Sequence, residues 1–429
     1  MATQSFDATT LDAGKGPQQL RGERLKRFRD AMELKQPDRI PVLLGVNNGL
    51  AKLVGATQKE LFDDAEKQNN GLLAVAQRFQ PDVVTTYPYG PELSRTLGDQ
   101  MSKWPGYGLD DNQLFQFNEQ EFMKAEDYDE FLSDLSDWTI RKYLPRAYSE
   151  LAGLAMLPPL GLLSGGFYTV PGQIAKLNAP PVASALAALQ KGAQVRLQWI
   201  MRMGASIRLL AEHGFPPNPL GGPVASAPFD FMANTLRGMR GIFLDMRRCP
   251  EKLLAAEEKL IKMQVDQLSA DCKAFKLGSV MIFLHRGSDG FISIRDFERF
   301  YWPQLKALLL GFVEKGVTPF VFWEGIWDQR LRYLTELPKG KIVGMFQGSD
   351  LRRVKEVLGD TMCIVGGMKV SMLACGASAA EIRETTRELC QTVGKGGGYI
   401  MSTDILELDG TDPELVKVWI DATREFGRY

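Results

Sequence analysis

The chain has 429 residues, of which 45% are hydrophobic and 24% are charged, and its formal net charge is −1. These values are those of an ordinary globular chain with a large core, and near neutrality excludes a strong overall attraction to nucleic acid or to an anionic membrane. The five cysteines are scattered and form no Cys-x-x-Cys pair, which indicates reduced thiols rather than a disulfide framework or a thiolate zinc knuckle.

Targeting and membrane signals are missing from the sequence. No apolar run reaches the roughly 18–20 residues that a membrane helix needs. The first residues lack the charged and then apolar pattern of a signal peptide. We therefore expect a soluble cytoplasmic protein with neither a membrane nor a nucleic acid as its partner.

The first predicted elements are a tail, two helices and two strands. Residues 1–22 are rich in Thr, Gln, Gly and Asp and have no period, which predicts a flexible tail. The periodic patterns that follow predict a helix at 23–34, a strand at 40–44, a helix at 59–79 and a strand at 83–86.

The middle of the chain is predicted to consist of insertions between the barrel strands. Residues 87–108 are rich in Pro and Gly, which predicts a long loop over the mouth of a barrel. Residues 165–168 (GGFY) are interpreted as a strand end with a close backbone approach. Helical patterns cover residues 119–132, 183–212 and 250–275.

The last third alternates short apolar runs with amphipathic helical runs. The apolar runs are residues 280–284, 320–323, 342–346, 363–365 and 399–401. Each parallel strand needs a crossover, usually a helix, so this alternation predicts a parallel α/β sheet. A bare (β/α)8 barrel takes about 250 residues. We therefore predict one TIM barrel domain over residues 23–429, with an N-terminal extension and insertions.

Polar side chains follow several of these strands, where the active sites of (β/α)8 barrels lie. His285 follows one strand and Glu324 the next, and we expect them to be catalytic or metal-binding residues. A structural histidine, and an ion pair of Glu324 with a nearby arginine, are the alternatives. Asp404 is a third candidate ligand, whereas Asp350 is expected to cap a helix.

Aromatic and polar residues near the predicted strand ends could contact a substrate. Aromatic side chains there suit a flat aromatic ligand, although core packing is the alternative for each. Asn47 could bind a substrate or shape a turn, and Arg286 is the obvious arginine of the rim. The predicted substrate-binding residues are Asn47, Tyr87, Tyr168, Trp323, Arg286 and Phe346.

Four motifs occur in order along the chain: ER at 23–24 with KQPDRIPV at 35–42, FERFYWP at 297–303, KEVLG at 355–359 with GG at 366–367, and GGGYIM at 396–401. This ordered set resembles the uroporphyrinogen decarboxylase superfamily, which includes zinc- and corrinoid-linked methyltransferases. The resemblance covers residues 23–427 and implies a (β/α)8 barrel.

Two departures from the family pattern bear on function. The decarboxylases grip substrate carboxylates with an arginine-rich stretch after the first strand, whereas residues 45–50 here read GVNNGL. The methyltransferase branch holds zinc with a His-x-Cys motif and a later cysteine, but the matching positions here are Phe322, Glu324 and residues 402–405 (STDI). A zinc site built from His285, Glu324 and Asp404 is the remaining expectation.

The resemblance implies a methyltransferase that moves a methyl group from a small donor, expected to be an O-methylated aromatic, to a corrinoid (cobalamin) on a partner protein. A decarboxylase of a small or tetrapyrrole acid is the second hypothesis, and a non-catalytic binder of a flat ligand is the third. The superfamily also implies a homodimer.

Overall fold

A computed structural model describes residues 12, 14–86 and 90–429 of the chain. The strands found there, in chain order, are β1 Leu43–Gly45, β2 Val83–Thr85, β3 Ser102–Pro105, β4 Gly108–Leu109, β5 Gln116–Phe117, β6 Val224–Ser226, β7 Ser279–Leu284, β8 Thr318–Trp323, β9 Val343–Phe346, β10 Cys363–Met368 and β11 Tyr399–Thr403.

Eight of these strands form a parallel barrel sheet. Strands β6 to β11 pair in order, each parallel to its neighbour, and β1 pairs in parallel with β2. A parallel bridge between Val42 and Met401 joins β1 to β11. The architecture is therefore the predicted (β/α)8 barrel. The sequence analysis did not predict strand β6, because its three residues follow a Pro- and Gly-rich stretch and are too few to show the periodicity of a strand.

Side chains at every second position of the strands fill the barrel interior. Phe320 and Phe322 of β8, Met345 of β9 and Val365 of β10 belong to one buried cluster. Residues two apart in a strand point to the same face, so these side chains meet in the middle of the barrel. Burying large apolar side chains is worth roughly 1.5–3 kcal/mol each, which makes this layer a main source of stability.

Helices connect the strands. They are α1 Pro17–Met32, α2 Gly49–Val54, α3 Gln58–Asp63, α4 Ala65–Phe79, α5 Glu92–Leu97, α6 Tyr128–Ser133, α7 Leu135–Trp138, α8 Leu144–Ala147, α9 Val170–Lys176, α10 Pro180–Glu212, α11 Pro228–Phe231, α12 Gly238–Arg248, α13 Pro250–Phe275, α14 Ile294–Asp296, α15 Trp302–Glu314, α16 Leu331–Leu334, α17 Leu351–Leu358, α18 Val370–Ala374, α19 Ala379–Thr392 and α20 Pro413–Phe426. Helical turns of 3₁₀ type lie at Ala125–Asp127, Ser149–Met156 and Leu160–Tyr168.

The N-terminal segment differs from the predicted tail. Helix α1 begins at Pro17, because proline suits the first helical position, and so residues 17–22 are helical. Arg27 of α1 and Arg39 both donate hydrogen bonds to the buried Asp82. Burial acts to raise the pKa of Asp82, but the charges of Arg39 and Arg27 outweigh it and hold that pKa well below its usual range.

The described chain groups into two compact units rather than one. The first contains residues up to Tyr87, Ala205–Phe229 and Ile261–Tyr429, and it holds all eight barrel strands. The second contains Pro88–Gly204 and Asp230–Leu260. In the second unit β3 pairs in parallel with β4 and antiparallel with β5.

The predicted strand end at residues 165–168 is wrong. These residues belong to the 3₁₀ helix Leu160–Tyr168, whose Gly and Ser residues allow short helical turns. The prediction failed because a short apolar run has the same pattern in a strand and in a helical segment. Among the described residues no single helix is long and apolar enough to cross a membrane. The helices Ser149–Met156 and Leu160–Tyr168, bent by 44°, meet that length and composition only when taken together.

Candidate functional site

The candidate site lies at the carboxyl ends of β7 and β8. Leu284 ends β7, Trp323 ends β8, and the two residues are register partners in the parallel ladder. His285 and Glu324 come directly after them, so the ladder itself brings these two side chains to the same edge of the sheet. The pair therefore occupies the face of the barrel where active sites are built.

His285 and Glu324 are in direct contact. Nδ1 of the His285 ring lies 2.8 Å from Oε2 of Glu324, and the side chains are 38% and 35% exposed. With Nδ1–H donating to the carboxylate, Nε2 is the ring atom that accepts or gives a proton. The carboxylate thereby orients the ring, as the acid does in a catalytic His–Asp pair. The 2.8 Å contact has the geometry that proton transfer through Nε2 requires.

The backbone around Glu324 is fixed by hydrogen bonds. Its carbonyl oxygen accepts from Nε1 of Trp327 at 2.8 Å, and the N–H of Gly325 donates to Oε1 of Gln347 at 3.0 Å. Gly325 has a φ of +74°, a conformation that glycine adopts without strain. Gln347 follows β9 and thereby ties the ends of β8 and β9 together. Its role was missed because a glutamine after a strand carries no charge signal.

Aromatic rings form a packed layer behind the pair. Trp323 stacks on Phe346 with ring centroids 5.8 Å apart and meets Trp327 edge-on at 4.8 Å. Both Trp323 and Phe346 are buried, which differs from the exposed rim that we predicted. Trp323 and Phe346 directly follow the interior residues Phe322 and Met345, so alternation along each strand turns these two rings to the opposite face of the sheet, where they support the loop rather than present a face to a ligand.

The arginines of this edge are engaged within the loop. Arg286 lies over the ring of Phe291, with Cζ 5.1 Å from the centroid. The buried Arg330 donates to the carbonyl oxygens of Ser288 and Ile292 and does not pair with Glu324. Burial lowers the pKa of Arg330, and the charge of Asp289 offsets part of that shift.

The Asp404 side chain, at the end of β11, accepts a hydrogen bond from the backbone. Its Oδ1 accepts from the N–H of Val370, the first residue of α18, at 2.9 Å, and its own N–H donates to the carbonyl of Met368. Burial raises the pKa of Asp404, while the Val370 N–H opposes the shift. Asp350 likewise caps its helix, as predicted, by accepting from the N–H of Arg352.

Asn47 lies after β1, where its φ of +27° marks a strained turn. The neighbouring Asn48 donates through its amide to Oε2 of Glu407 at 2.7 Å, and the N–H of Gly49 donates to Oε1 at 2.8 Å. The N–H groups of Leu408 and Asp409 also donate to Glu407. Glu407 was missed by the sequence analysis, since it lies beyond the strand end in a loop.

The remaining predicted substrate residues are Tyr87 and Tyr168. Tyr87 is outside the described residues. Tyr168 is 90% exposed in the 3₁₀ helix of the second unit. Their proposed contacts with a substrate stay predictions, as does that of Asn47.

The donor set does not fit the expected zinc site. No group of three or more His, Cys, Asp or Glu side chains suited to a metal ion occurs in the described ranges. His285 and Glu324 supply two donors that bind each other, and Asp404 is occupied by backbone N–H groups. A structural zinc site needs four protein ligands and a catalytic one needs three, so we derive no step through zinc.

A cleft at the other ends of the strands is structural. Lys339, Lys355 and Lys395 line it, just before β9, β10 and β11 begin. Lys355 donates to the carbonyl of Gly397 at 2.6 Å, and burial lowers the pKa of Lys355. The amino-terminal face of a barrel is the face of stability rather than chemistry.

Comparisons with known proteins agree with this fold. The profile of the family described as "Uroporphyrinogen decarboxylase (URO-D)" matches residues 154–426, which is more than half of the chain. A solved methyltransferase from Methanosarcina mazei superposes with a TM-score of 0.60 at 14% sequence identity, covering 94% of this chain and 98% of that one. At this identity the superposition shows a shared fold.

Two curated relatives are more similar in sequence. A uroporphyrinogen decarboxylase from Syntrophotalea carbinolica is 26% identical over 197 residues, which are 45% of this chain and 55% of the relative. One from Psychromonas ingrahamii is 29% identical over 180 residues, which are 41% and 49% of the two chains. The chain thus matches about half the length of these relatives.

Proposed function

The chain belongs to the uroporphyrinogen decarboxylase family, and we propose that it is a cytoplasmic methyltransferase of that family's methyltransferase branch. Its substrate would be a small O-methylated aromatic compound. The acceptor would be a corrinoid carried by a partner protein, which supplies the nucleophile for the methyl group.

The observation that carries this proposal is the 2.8 Å contact between His285 and Glu324 at the carboxyl ends of adjacent barrel strands. Demethylation of an ether breaks a C–O bond, and the oxygen leaves with the bonding electron pair. It needs a proton at that moment, and general acid catalysis of such a step is worth about 10²–10⁴ in rate.

The contact between His285 and Glu324 supports the following proton balance. Protonated His285 gives the Nε2 proton to the leaving oxygen, so that the phenol departs neutral. Glu324 keeps the ring oriented through Nδ1 and stabilises its positive charge before transfer. The resulting neutral imidazole takes a proton from water before the next turnover. The methyl group goes to the corrinoid acceptor and the proton to the oxygen.

The residues after β1 support methyl transfer over porphyrinogen decarboxylation. Residues 45–50 contain no arginine, and a substrate with several carboxylates needs bidentate cationic partners. Gly45 and Gly49 also leave no space for larger side chains, since an added Cβ would lie 2.6 Å from Leu406 and 2.5 Å from Leu408.

Decarboxylation of a smaller acid is the second candidate function. It is favoured by the similarity to two curated decarboxylases and by the position of Arg286 directly beside His285. Arg286 would have to exchange its contact with Phe291 for a substrate carboxylate. The two functions differ in their products, which are a phenol and carbon dioxide.

The test is turnover of methoxylated benzoates with free reduced cobalamin as methyl acceptor, followed by chromatography of the phenol and by carbon dioxide release. We expect phenol from the wild type and a loss of about 10²–10⁴ in rate for His285→Gln and for Glu324→Gln. His213→Gln is the matched control, because His213 is exposed and its ring contacts the carbonyl oxygen of Leu209 within its own helical segment.

Three results would redirect the proposal. Carbon dioxide without phenol would assign the second function. Normal turnover by Glu324→Gln would remove the pair from the mechanism. Saturable binding of methoxylated aromatics by both variants, without any turnover by the wild type, would leave a non-catalytic binder of a flat ligand.

A further inference from the structure

The second unit carries an exposed apolar segment, here named the apolar tip, that the proposed reaction does not use. It comprises residues 156–174 and includes the whole 3₁₀ helix Leu160–Tyr168 and most of α9. Its exposed large side chains, with their exposed fractions, are Met156 (63%), Leu160 (43%), Leu162 (52%), Phe167 (85%), Tyr168 (90%) and Ile174 (51%).

The apolar tip contains no charge. Residues 151–175 include no Asp, Glu, Lys or Arg. Single exposed apolar residues are normal on a protein surface, but a contiguous set without any charge marks a site of interaction with another apolar phase or protein. Phe167 and Tyr168 contact each other edge-on at 5.4 Å, so the two most exposed rings form one unit.

The base of the apolar tip is rigid. Leu151 and Leu154 are fully buried against Ala185 of α10. An added Cβ on Gly153 would lie 1.9 Å from the carbonyl oxygen of Pro181, so the first 3₁₀ helix is in close contact with α10. This helix is held in the second unit and cannot extend the tip into a membrane span. The exposed part can insert only to the depth of an interface.

Cations without anions follow the apolar tip in the chain. Residues 151–204 contain Lys176, Lys191, Arg196 and Arg202 and no Asp or Glu. Arg202 lies 3.4 Å from Glu92. Lys176, Lys191 and Arg196 are exposed, and no carboxylate of the described chain is within ion-pair distance of them. This part of the unit is locally positive although the whole chain has a net charge of −1.

This distribution of charge favours one binding partner of the apolar tip over another. In a symmetric contact with a second copy the same patch faces itself, so the cations of one copy would meet those of the other. An anionic lipid surface instead offers apolar chains to the tip and negative headgroups to the cations. Phenylalanine and tyrosine side chains are also favoured at the boundary between lipid and water.

We propose that the second unit docks on an anionic lipid bilayer, with the apolar tip inserted at the interface and the cations of α9 and α10 on the headgroups. The expectation of no membrane partner rested on the net charge of the whole chain, which averages over this local asymmetry, and on the length of the apolar runs, which bears on spanning a bilayer and not on docking at its surface. The proposal is independent of the reaction at His285 and Glu324.

The test is sedimentation of the full chain with vesicles of phosphatidylcholine, alone or with about one third phosphatidylglycerol. We expect the wild type to bind the anionic vesicles more tightly. The double variant Phe167→Ser/Tyr168→Ser should bind them about tenfold more weakly or worse, because two aromatic side chains lose their apolar environment. Lys191→Glu/Arg196→Glu should lose about tenfold of the preference for anionic vesicles.

A matched control is Phe275→Ser, which removes a 57% exposed phenylalanine at the end of α13 in the first unit. We expect its binding to stay within about twofold of wild type. The proposal is overturned if the wild type does not sediment with anionic vesicles, or if the Phe167→Ser/Tyr168→Ser variant binds as well as the wild type. A stable dimer in solution that this variant dissociates would assign the apolar tip to a second copy instead.

Discussion

Two edges of the same barrel end place carboxylates in similar sequence positions and use them differently. At the ends of β7 and β8, Glu324 contacts an ionisable side chain, His285, and both remain about one third exposed. At the ends of β11 and β1, Asp404 and Glu407 accept hydrogen bonds from backbone N–H groups. The position of a carboxylate after a barrel strand therefore does not determine its role, whereas its partners do.

The physical difference is the cost of changing charge. A carboxylate that accepts several backbone N–H bonds stabilises the loop only while it is an acceptor, so its protonation would disturb the fold. The pair of His285 and Glu324 can pass a proton between its members and a substrate without breaking backbone contacts. This contrast can be tested by removing each carboxylate in turn.

The largest effect is expected at the exposed pair. His285→Gln and Glu324→Gln should each lower kcat/KM by about 10²–10⁴, and the double variant should be no worse than the more damaged single variant, because the two residues act as a unit. Thermal unfolding temperatures should change little, since both side chains are partly exposed. Additive losses in kinetic assays would contradict the shared role.

Removal of Glu407 should cost stability rather than chemistry. Glu407→Ala leaves the N–H groups of Asn48, Gly49, Leu408 and Asp409 without their acceptor, and we expect a loss of roughly 2–3 kcal/mol in the free energy of unfolding. Urea unfolding measures it.

Glu336→Ala is the matched control for that loss, because it removes an exposed carboxylate paired with Lys306 and should cost less than about 1 kcal/mol. Equal losses in the two variants would show that Glu407 does not support the loop.

Glu257 of the second unit is a third kind of carboxylate, because it is buried and neither oxygen has a hydrogen-bond partner in the described chain. Burial raises its pKa well above the ordinary value, and the charge of Asp230 adds to the shift. The folded state thus favours protonated Glu257. This contribution to stability is complete below the unfolded-state pKa and is lost as the pH rises through the folded-state pKa.

Glu257→Gln should therefore match the wild type at low pH and exceed it at higher pH, by up to about 1.4 kcal/mol for each pH unit between the two pKa values. Urea unfolding over a pH series gives the comparison. Glu258→Gln, which changes the exposed neighbour on α13, should follow the wild type throughout. A pH dependence unchanged by Glu257→Gln would show that Glu257 is ionised in the fold.

The smallest effect is expected at Asp404. Asp404→Asn keeps an oxygen that can accept from the N–H of Val370, so activity should stay within about twofold of wild type and stability within about 1 kcal/mol. Kinetic assays distinguish this outcome from the expected behaviour of a metal ligand. A loss above a hundredfold with intact folding would restore Asp404 to the reacting site.

Much of the fold could be predicted from the sequence because the information is local. The runs that became β7 to β11 are continuous and apolar, as strands buried on both faces must be, and each is followed by a helical pattern. The same strands place His285 and Glu324 side by side. Strand β6 and the 3₁₀ helix Leu160–Tyr168 were not predicted, since short segments without a clear period depend on tertiary contacts.

The sequence by itself thus determined the last five strands and their alternation with helices, the end of the barrel that carries the polar residues, and the two residues of the exposed pair. Only the tertiary structure decided that Trp323 and Phe346 are buried against each other, that Asp404 and Glu407 accept from backbone N–H groups, and that Gln347 positions Gly325. These outcomes depend on contacts between strands that are far apart in the chain. Such contacts determine the hydrogen-bond partners and the burial of each residue, and a local sequence pattern does not specify them.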